Sequence, residues 1–214
     1  MADMKLGIIF DMDGTLWDSS QGVTGSWNEI IQKHYPNRQP LTVDDIQGVM
    51  GLTMHKIADK LFADLSEDKR LELLEACENY ENDYLRQHGG VLYTGLEDTL
   101  KKLKEQYHLY IVSNCQSGYI EAFLDHYGFW DYFEDIECFG NNGLQKSVNI
   151  RNVIERNHLD DAIYVGDIQG DYDATMQAGA KFLHAAYGFG TINASVPRIE
   201  NISEITNVIG MLLG

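Results

Sequence analysis

The sequence has few of the features that mark a disordered, disulfide-rich or membrane-spanning chain. Only three of its 214 residues are proline and 44% are hydrophobic, which is typical of a chain that folds around its own core. The three cysteines, Cys77, Cys115 and Cys138, are far apart and form no C-x-x-C pair. This spacing argues against a disulfide framework and against a cysteine zinc site.

Positive charge is also scarce. The chain has 16 Lys and Arg residues against 33 Asp and Glu, which gives a formal net charge of −17. Nucleic acids and anionic membranes attract positively charged proteins, so we expect neither as a partner. The apolar stretches at the two ends are too short for a signal peptide or a membrane span. We therefore expect a cytoplasmic protein, either a monomer or a small homo-oligomer.

Short apolar segments alternate with segments of helical period, which is typical of a parallel α/β fold. The predicted strands are Leu6–Phe10, Leu109–Ser113, Ile136–Phe139, Ile163–Val165 and Phe182–Ala185. The predicted helices that accompany them are Leu96–Glu105, Tyr119–Tyr127, Ser147–Arg156, Asp171–Ala178 and one that begins near Ser203. The expected core is a Rossmann-like, doubly wound parallel sheet.

The long interval between the first two predicted strands is helical in period instead. Apolar side chains recur at helical spacing over residues 27–34, 54–61 and 73–84. A single crossover helix needs far fewer residues than this interval holds. We predict an inserted helical cap over residues 19–88, on a catalytic core formed by residues 1–18 and 89–214.

The first predicted strand delivers two carboxylates at its carboxyl end. The stretch Ile8-Ile-Phe-Asp11-Met-Asp13-Gly-Thr15 places Asp11 and Asp13 two positions apart, at the start of a glycine turn. On an extended strand both side chains point the same way, and a cation between them would offset their repulsion. Ligands of open α/β sheets bind outside the carboxyl ends of the strands. A solvated acidic turn is the alternative interpretation.

A second acidic group follows a later strand. Gly166, Asp167 and Asp171 come directly after Ile163–Val165 and open a helix. Carboxylates and a backbone carbonyl are ligands that suit Mg²⁺. The two acidic groups form one site only if their strands are neighbours in the sheet.

Two further features could hold an anion at the same edge. Ser113 and Asn114 end the second predicted strand, where a hydroxyl, an amide and backbone N–H groups can contact phosphate. Lys146 is the only Lys or Arg between Lys104 and Arg151, which makes it the natural counter-charge for a phosphoryl group. Taken singly, a Ser-Asn turn is also an ordinary turn, and most lysines are simply solvated.

In this order, the motifs resemble the haloacid dehalogenase superfamily, specifically its helical-cap phosphatases of the phosphoglycolate phosphatase and β-phosphoglucomutase-like group. The resemblance covers nearly the whole chain. It departs from the family pattern at Ser147 and Thr94, where many relatives have proline, and neither departure removes a catalytic group. The residues that carry it are Asp11-x-Asp13-Gly-Thr15, Ser113, Lys146 and Gly166-Asp167-x-x-x-Asp171.

The resemblance implies a Mg²⁺-dependent phosphatase that hydrolyses a small phosphorylated metabolite, such as phosphoglycolate or a sugar phosphate. Asp11 would be the nucleophile that becomes an aspartyl phosphate, and Asp13 would be the general acid and base. The implied metal ligands are Asp11, the backbone carbonyl of Asp13, Asp167, and Asp171 directly or through water. The implied phosphate ligands are Ser113, Asn114 and Lys146.

Other functions remain open on the residues alone. A phosphomutase would use the same Asp11 and Asp13, and a phospho-acceptor signalling domain also combines acids, Mg²⁺ and a lysine. The long insert and the Asp-x-Asp spacing tell against the signalling domain, and a dehalogenase would lack an acid at Asp13. The turn at residues 48–53 and Trp17 are candidates for contacts with the leaving group, with hinge packing as the alternative for Trp17.

Overall fold

The computed structural model describes residues 4–213, and parallel strands form the centre of the fold. In chain order the strands are β1 (Leu6–Phe10), β2 (Trp17–Asp18), β3 (Val91–Leu92), β4 (His108–Ser113), β5 (Asp135–Cys138), β6 (Asp161–Gly166), β7 (Lys181–Ala185) and β8 (Arg198–Ile199). Six of them form one parallel sheet in the order β5-β4-β1-β6-β7-β8. The other two, β2 and β3, form a separate antiparallel pair.

Within residues 4–213, ten α-helices cover the sheet and build the insert. They are α1 (Ser20–His34), α2 (Val43–Gln47), α3 (Met54–Leu61), α4 (Glu67–His88), α5 (Leu96–Lys104), α6 (Tyr119–Tyr127), α7 (Phe139–Asn142), α8 (Lys146–Arg156), α9 (Gln169–Ala178) and α10 (Ile205–Leu212). Two 3₁₀ turns, Trp130–Tyr132 and Ile202–Glu204, complete the regular structure. None of the helices within residues 4–213 combines the length and apolar character that a membrane crossing requires.

Strand β1 lies in the middle of the sheet because its side chains are apolar on both faces. Ile8, Ile9 and Phe10 have no exposed surface, since helices cover both sides of the sheet. Such a continuous apolar run is typical of central parallel strands. The predicted α/β fold with a doubly wound parallel sheet is therefore confirmed.

The structure differs from the sequence-based prediction in its shortest elements. The sequence did not predict the short strands β2, β3 and β8 or the four-residue helix α7. Elements of so few residues show no hydrophobic period. The last helix begins at Ile205 and not near Ser203, which lies inside the preceding 3₁₀ turn. The three cysteines are free, in agreement with the absence of a disulfide framework.

The chain leaves the core through β2 and returns through β3, with α1 to α4 between these two strands. Trp17 in β2 pairs with Leu92 in β3, so the outgoing and returning segments are hydrogen-bonded to each other. The Trp17 ring is fully buried and lies edge-on against Phe123, at 5.0 Å between ring centroids. Trp17 therefore packs at the hinge. We call residues 19–88 the helical insert.

Candidate active site

Adjacent strands bring the two acidic groups together. Asp11 directly follows β1 and Asp167 directly follows β6, and these two strands are neighbours with Phe10 opposite Val165. The Asp11 N–H also donates a hydrogen bond to the Val165 carbonyl at 2.9 Å. The strands that carry the two acidic groups are therefore neighbours, as a shared site requires.

Three carboxylates form a compact, buried cluster at this edge. Oxygens of Asp11, Asp167 and Asp171 all lie within 4.8 Å of one another. None of these residues is more than 2% exposed. Burial, reinforced by the charge of Asp171, raises the pKa of Asp11 to about 7. Burial and the same neighbour also raise the pKa of Asp167. The cluster therefore needs positive charge to stay ionised near neutral pH.

Lys146 supplies one such charge. Its Nζ lies 2.9 Å from Asp11 Oδ1 and 2.6 Å from Asp171 Oδ1, and the residue is 4% exposed. Burial by itself would lower the pKa of Lys146, but the charges of Asp11 and Asp171 outweigh it and raise that pKa. One ammonium against three carboxylates leaves two negative charges unbalanced. This deficit and the oxygen-only donor set fit a divalent cation such as Mg²⁺.

Backbone N–H groups hold the carboxylates of Asp167 and Asp171 in place. Asp171 Oδ2 accepts hydrogen bonds from the N–H groups of Asp167 and Ile168 at 3.1 and 3.2 Å, while its other oxygen binds Lys146. Asp167 Oδ2 accepts from the Phe189 N–H at 2.7 Å. Gly14 makes room for it: its φ is +80°, and a Cβ there would lie 2.1 Å from Asp167 Oδ2. Only glycine suits both the conformation and the space.

Asp13 lies apart from this cluster and is held by hydroxyl groups. Its Oδ1 accepts hydrogen bonds from Ser19 Oγ at 2.5 Å and from the Tyr119 hydroxyl at 2.7 Å. Burial raises the pKa of Asp13 to about 6, although both hydroxyl groups favour the carboxylate and oppose that shift. A carboxyl group with this pKa can both donate and accept a proton near neutral pH.

Ser113 ends the neighbouring strand β4 and Asn114 follows it, and both residues line the same cavity as Asp11. Ser113 is 5% exposed. The Asn114 Nδ2 donates a hydrogen bond to the carbonyl of Gly51 in the helical insert at 2.9 Å. Its Oδ1 is buried without a hydrogen-bond partner. The Asn114 side chain therefore joins the core to the insert in this structure, and its contact with phosphate stays a prediction.

The helical insert closes a small cavity of about 50 Å³ over these residues. Asp11, Asp13 and Ser113 lie on the core side. The turn at residues 48–53, which the sequence marked as a candidate, lines the cavity from the insert side. The apolar lining from the insert comprises Val23, Trp27, Ile46, Val49, Met50, Leu52, Met54 and Ile57.

Glu81 also lines this cavity, and the sequence analysis did not identify it. It lies on α4 and is 3% exposed. Its carboxyl accepts hydrogen bonds from the Trp27 Nε1 and, at 2.9 Å, from the Gln116 Nε2. Burial raises its pKa to about 8. One signal was available, because Glu81 interrupts the buried stripe of Cys77 and Leu85 at helical spacing, where a carboxylate is unexpected.

Tyr119, Ser19 and Gln116 were also not singled out, and no sequence signal marks them. Tyr119 looks like an ordinary apolar residue of α6, yet its hydroxyl reaches Asp13, 106 positions away in the chain. Ser19 lies beside Asp13 because the glycine turn folds the chain back. Only the tertiary structure reveals these contacts.

Comparisons with known proteins agree with this geometry. The model of a family described as haloacid dehalogenase-like hydrolase matches residues 8–185. A phosphoglycolate phosphatase of Rhodobacter capsulatus is 28% identical over 225 residues, covering 99% of this chain and 98% of that protein.

Solved structures share the fold. A predicted phosphatase from Clostridium acetobutylicum superposes with a TM-score of 0.79 at 24% identity, covering 98% of this chain and 100% of that one. A haloacid dehalogenase-like family hydrolase from Streptococcus pneumoniae gives a TM-score of 0.81 at 22% identity, again covering 98% and 100% of the two chains. At these identities the likeness concerns the fold.

Proposed function

The chain belongs to the haloacid dehalogenase-like hydrolase family, and from this premise we propose that it is a Mg²⁺-dependent phosphatase of small phosphate monoesters. The observation that carries the proposal is the buried cluster of Asp11, Asp167 and Asp171 around Lys146, at the carboxyl edge of the sheet. The phosphoglycolate phosphatase among the relatives supports phosphate-ester chemistry. The small cavity between the core and the insert favours a small substrate.

In the proposed reaction Asp11 attacks phosphorus and the ester oxygen leaves, which forms an aspartyl phosphate. Asp13 donates a proton to that leaving oxygen and later accepts one from the water that hydrolyses the intermediate. The hydrogen bonds from Ser19 and Tyr119 support these roles, because they fix the position of the Asp13 carboxyl. Lys146 holds Asp11 in place and balances part of the local charge.

The residues that would hold Mg²⁺ are Asp11, the backbone carbonyl of Asp13, Asp167 and Asp171. Both oxygens of Asp171 already accept hydrogen bonds, which supports a contact through water for this residue. Bound Mg²⁺ would neutralise charge on the phosphoryl group during transfer. Ser113, Asn114 and Lys146 would contact the phosphoryl oxygens.

We assign the helical insert the role of a cap. Its turn at residues 48–53 and its helices α1, α3 and α4 close the cavity from the side opposite Asp11. The hydrogen bond from Asn114 to Gly51 supports this closed arrangement. Closure would exclude bulk water from the reacting group, and opening through β2 and β3 would release the products.

Release of inorganic phosphate from a panel of small phosphate esters tests this proposal. With Mg²⁺ we expect continuous turnover, and Asp11→Asn should lower the rate by about 10³-fold or more while the far-UV spectrum stays unchanged. The matched control is Asp173→Asn, an exposed aspartate on α9 that should keep full activity. Equal rates in wild type and Asp11→Asn would refute the assignment. A single turnover without further release would instead indicate a phospho-acceptor domain.

A further inference from the structure

The cavity above the catalytic residues carries negative charge only. Its lining contains three carboxyl groups, those of Asp11, Asp13 and Glu81. Among the described residues that line it there is no Lys, Arg or His. Asp11 and Asp13 are already assigned to the reaction. Glu81, on α4 of the insert, has no role in that reaction.

Glu81 is held without a cationic partner. Its two hydrogen-bond donors, the Trp27 indole on α1 and the Gln116 amide from the core, are neutral. No described Lys, Arg or His forms an ion pair with it. A buried carboxylate without a cation is costly, and the raised pKa of Glu81 reflects this cost. A positively charged ligand group would remove it.

A buried polar atom without a hydrogen-bond partner also favours a cationic ligand group. The Asn114 Oδ1, in the lining of the same cavity, is a buried acceptor without a donor. An ammonium group has several N–H donors and no acceptor, so it can satisfy this oxygen and Glu81 together. A carboxylate offers only acceptors and would meet further acceptors here.

The groove that leads to the cavity is also lined by acidic side chains. A wider groove between the insert and the core shares Met54 and Gln116 with the cavity. Glu75 and Glu78 lie along it, with His55 as the one basic side chain among its described lining residues. Such a groove repels an anionic leaving group and attracts a cationic one.

We propose that the leaving group is a short amino alcohol whose ammonium pairs with Glu81, so that the substrate is a zwitterionic phosphate monoester. This substrate class rests on the proposed phosphatase function. The carbon chain packs against the apolar side chains of the insert, and the ester oxygen faces Asp13. The cavity volume of about 50 Å³ limits the chain to a few heavy atoms. Glu81 is a specificity-determining residue in this arrangement.

Three esters of nearly equal size test the proposal: 2-aminoethyl phosphate, 2-hydroxyethyl phosphate and carboxymethyl phosphate, which is phosphoglycolate. For the wild-type enzyme with Mg²⁺ we expect kcat/KM to fall in that order, by about tenfold or more from the ammonium to the carboxylate. A preference for the hydroxyl or carboxylate ester, or equal rates for all three, would overturn the proposal. The same holds if the enzyme hydrolyses other small esters but none of these.

Variants assign the preference to a residue. Glu81→Gln should remove most of the preference for the ammonium ester, so that the ratio of kcat/KM for the ammonium ester to kcat/KM for the hydroxyl ester falls toward one. Glu72→Gln, an exposed carboxylate on the same helix, makes the same change in net charge and should keep the wild-type ratio. An unchanged ratio in a folded Glu81→Gln would remove Glu81 from specificity. If Glu81→Gln does not fold, the wild-type order still decides the substrate class.

The proposed function can fail separately. In that case no ester of any charge releases phosphate in a manner that depends on Asp11 and Mg²⁺. A wrong leaving group with intact Asp11-dependent turnover would affect only the inference about Glu81.

Discussion

Two buried polar clusters, one on the core and one on the helical insert, differ in how their charge is balanced. On the core, Asp11 and Asp171 share the ammonium of Lys146. On the insert, Glu81 has only the neutral donors of Trp27 and Gln116. In the core cluster, an ammonium group stabilises charged carboxylates at fixed positions. In the insert cluster, the Glu81 carboxyl group has no cationic partner, so a cationic group of a ligand can pair with it. This arrangement suits selection of a substrate.

Substitution of one ionisable residue in each cluster should show the largest difference between the two clusters, in the free energy of unfolding. Lys146→Met leaves two buried carboxylates facing each other without a cation, so it should lower the free energy of unfolding by about 3 kcal/mol in the metal-free protein. Glu81→Gln leaves only neutral groups together and should cost about 1 kcal/mol or less. Urea unfolding at pH 7 measures both values. Equal losses in the two variants would mean that the clusters do not differ in the way described.

Loss of a carboxylate from the core cluster should weaken binding of the proposed Mg²⁺. Asp167→Asn removes one negative charge from the cluster, so the Mg²⁺ concentration for half-maximal activity should rise about a hundredfold. A Mg²⁺ titration of phosphate release gives this value, with Asp173→Asn as the control on α9. An unchanged titration curve would exclude Asp167 as a ligand.

Tyr119 contacts Asp13 within the core, and its removal should have a smaller effect. The Tyr119 hydroxyl favours the ionised form of Asp13, so Tyr119→Phe should raise the pKa of Asp13 above its value of about 6. The acid form then persists to higher pH, and the decline of kcat/KM on the alkaline side should move to higher pH. Loss of positioning should lower the rate about tenfold for esters with poor leaving groups.

A pH profile of kcat/KM distinguishes this effect from a general loss of structure. Tyr110→Phe is the matched control, because the Tyr110 hydroxyl contacts Glu134 and not Asp13. An unshifted profile in Tyr119→Phe would show that its hydroxyl does not influence Asp13.

The smallest expected effect concerns thermal stability. The folded pKa of Asp11, about 7, lies above the value of 3.8 for an unperturbed aspartate, and the pKa of Asp167 is also raised. Between these values the folded state binds more protons, so the stability of the metal-free protein should fall as the pH rises from about 4 to about 7. Mg²⁺ binds the deprotonated carboxylates and should restore that stability.

Melting curves with and without Mg²⁺ measure this difference. The increase in Tm should be a few degrees larger at pH 8 than at pH 5. Asp167→Asn should reduce the increase. A shift in Tm that is equal at both pH values would contradict a cluster that must lose protons to bind the ion.

Much of the core could be predicted because its signals are local. The five longer strands of the sheet, including β1 and β6, are apolar runs bounded by turn residues, and their predicted ends lie within two residues of those in the structure. Asp11 and Asp167 directly follow such strands, and Asp13 and Asp171 come a few residues later. The rule for parallel sheets therefore predicts these residues at one edge, provided that their strands are neighbours.

The insert was predictable as helices but not as a binding surface. Periodicity indicates which face of α4 is apolar, and it says nothing about what that face covers. Glu81 contributes to the cavity only because α4 packs beside α1 and against the core, which brings Trp27 and Gln116 to its carboxyl. Likewise, the contact between Asn114 and Gly51 depends on the closed position of the insert.

The sequence by itself therefore determined the sheet, the insert and the acidic residues at the strand ends, because hydrophobic period and strand direction are properties of neighbouring residues. Tertiary structure alone decided that Lys146 lies between Asp11 and Asp171, that Tyr119 holds Asp13, and that Glu81 faces the cavity. The physical reason is distance along the chain. These contacts join residues from separate elements, and only the packing of one element on another brings such residues within hydrogen-bond range.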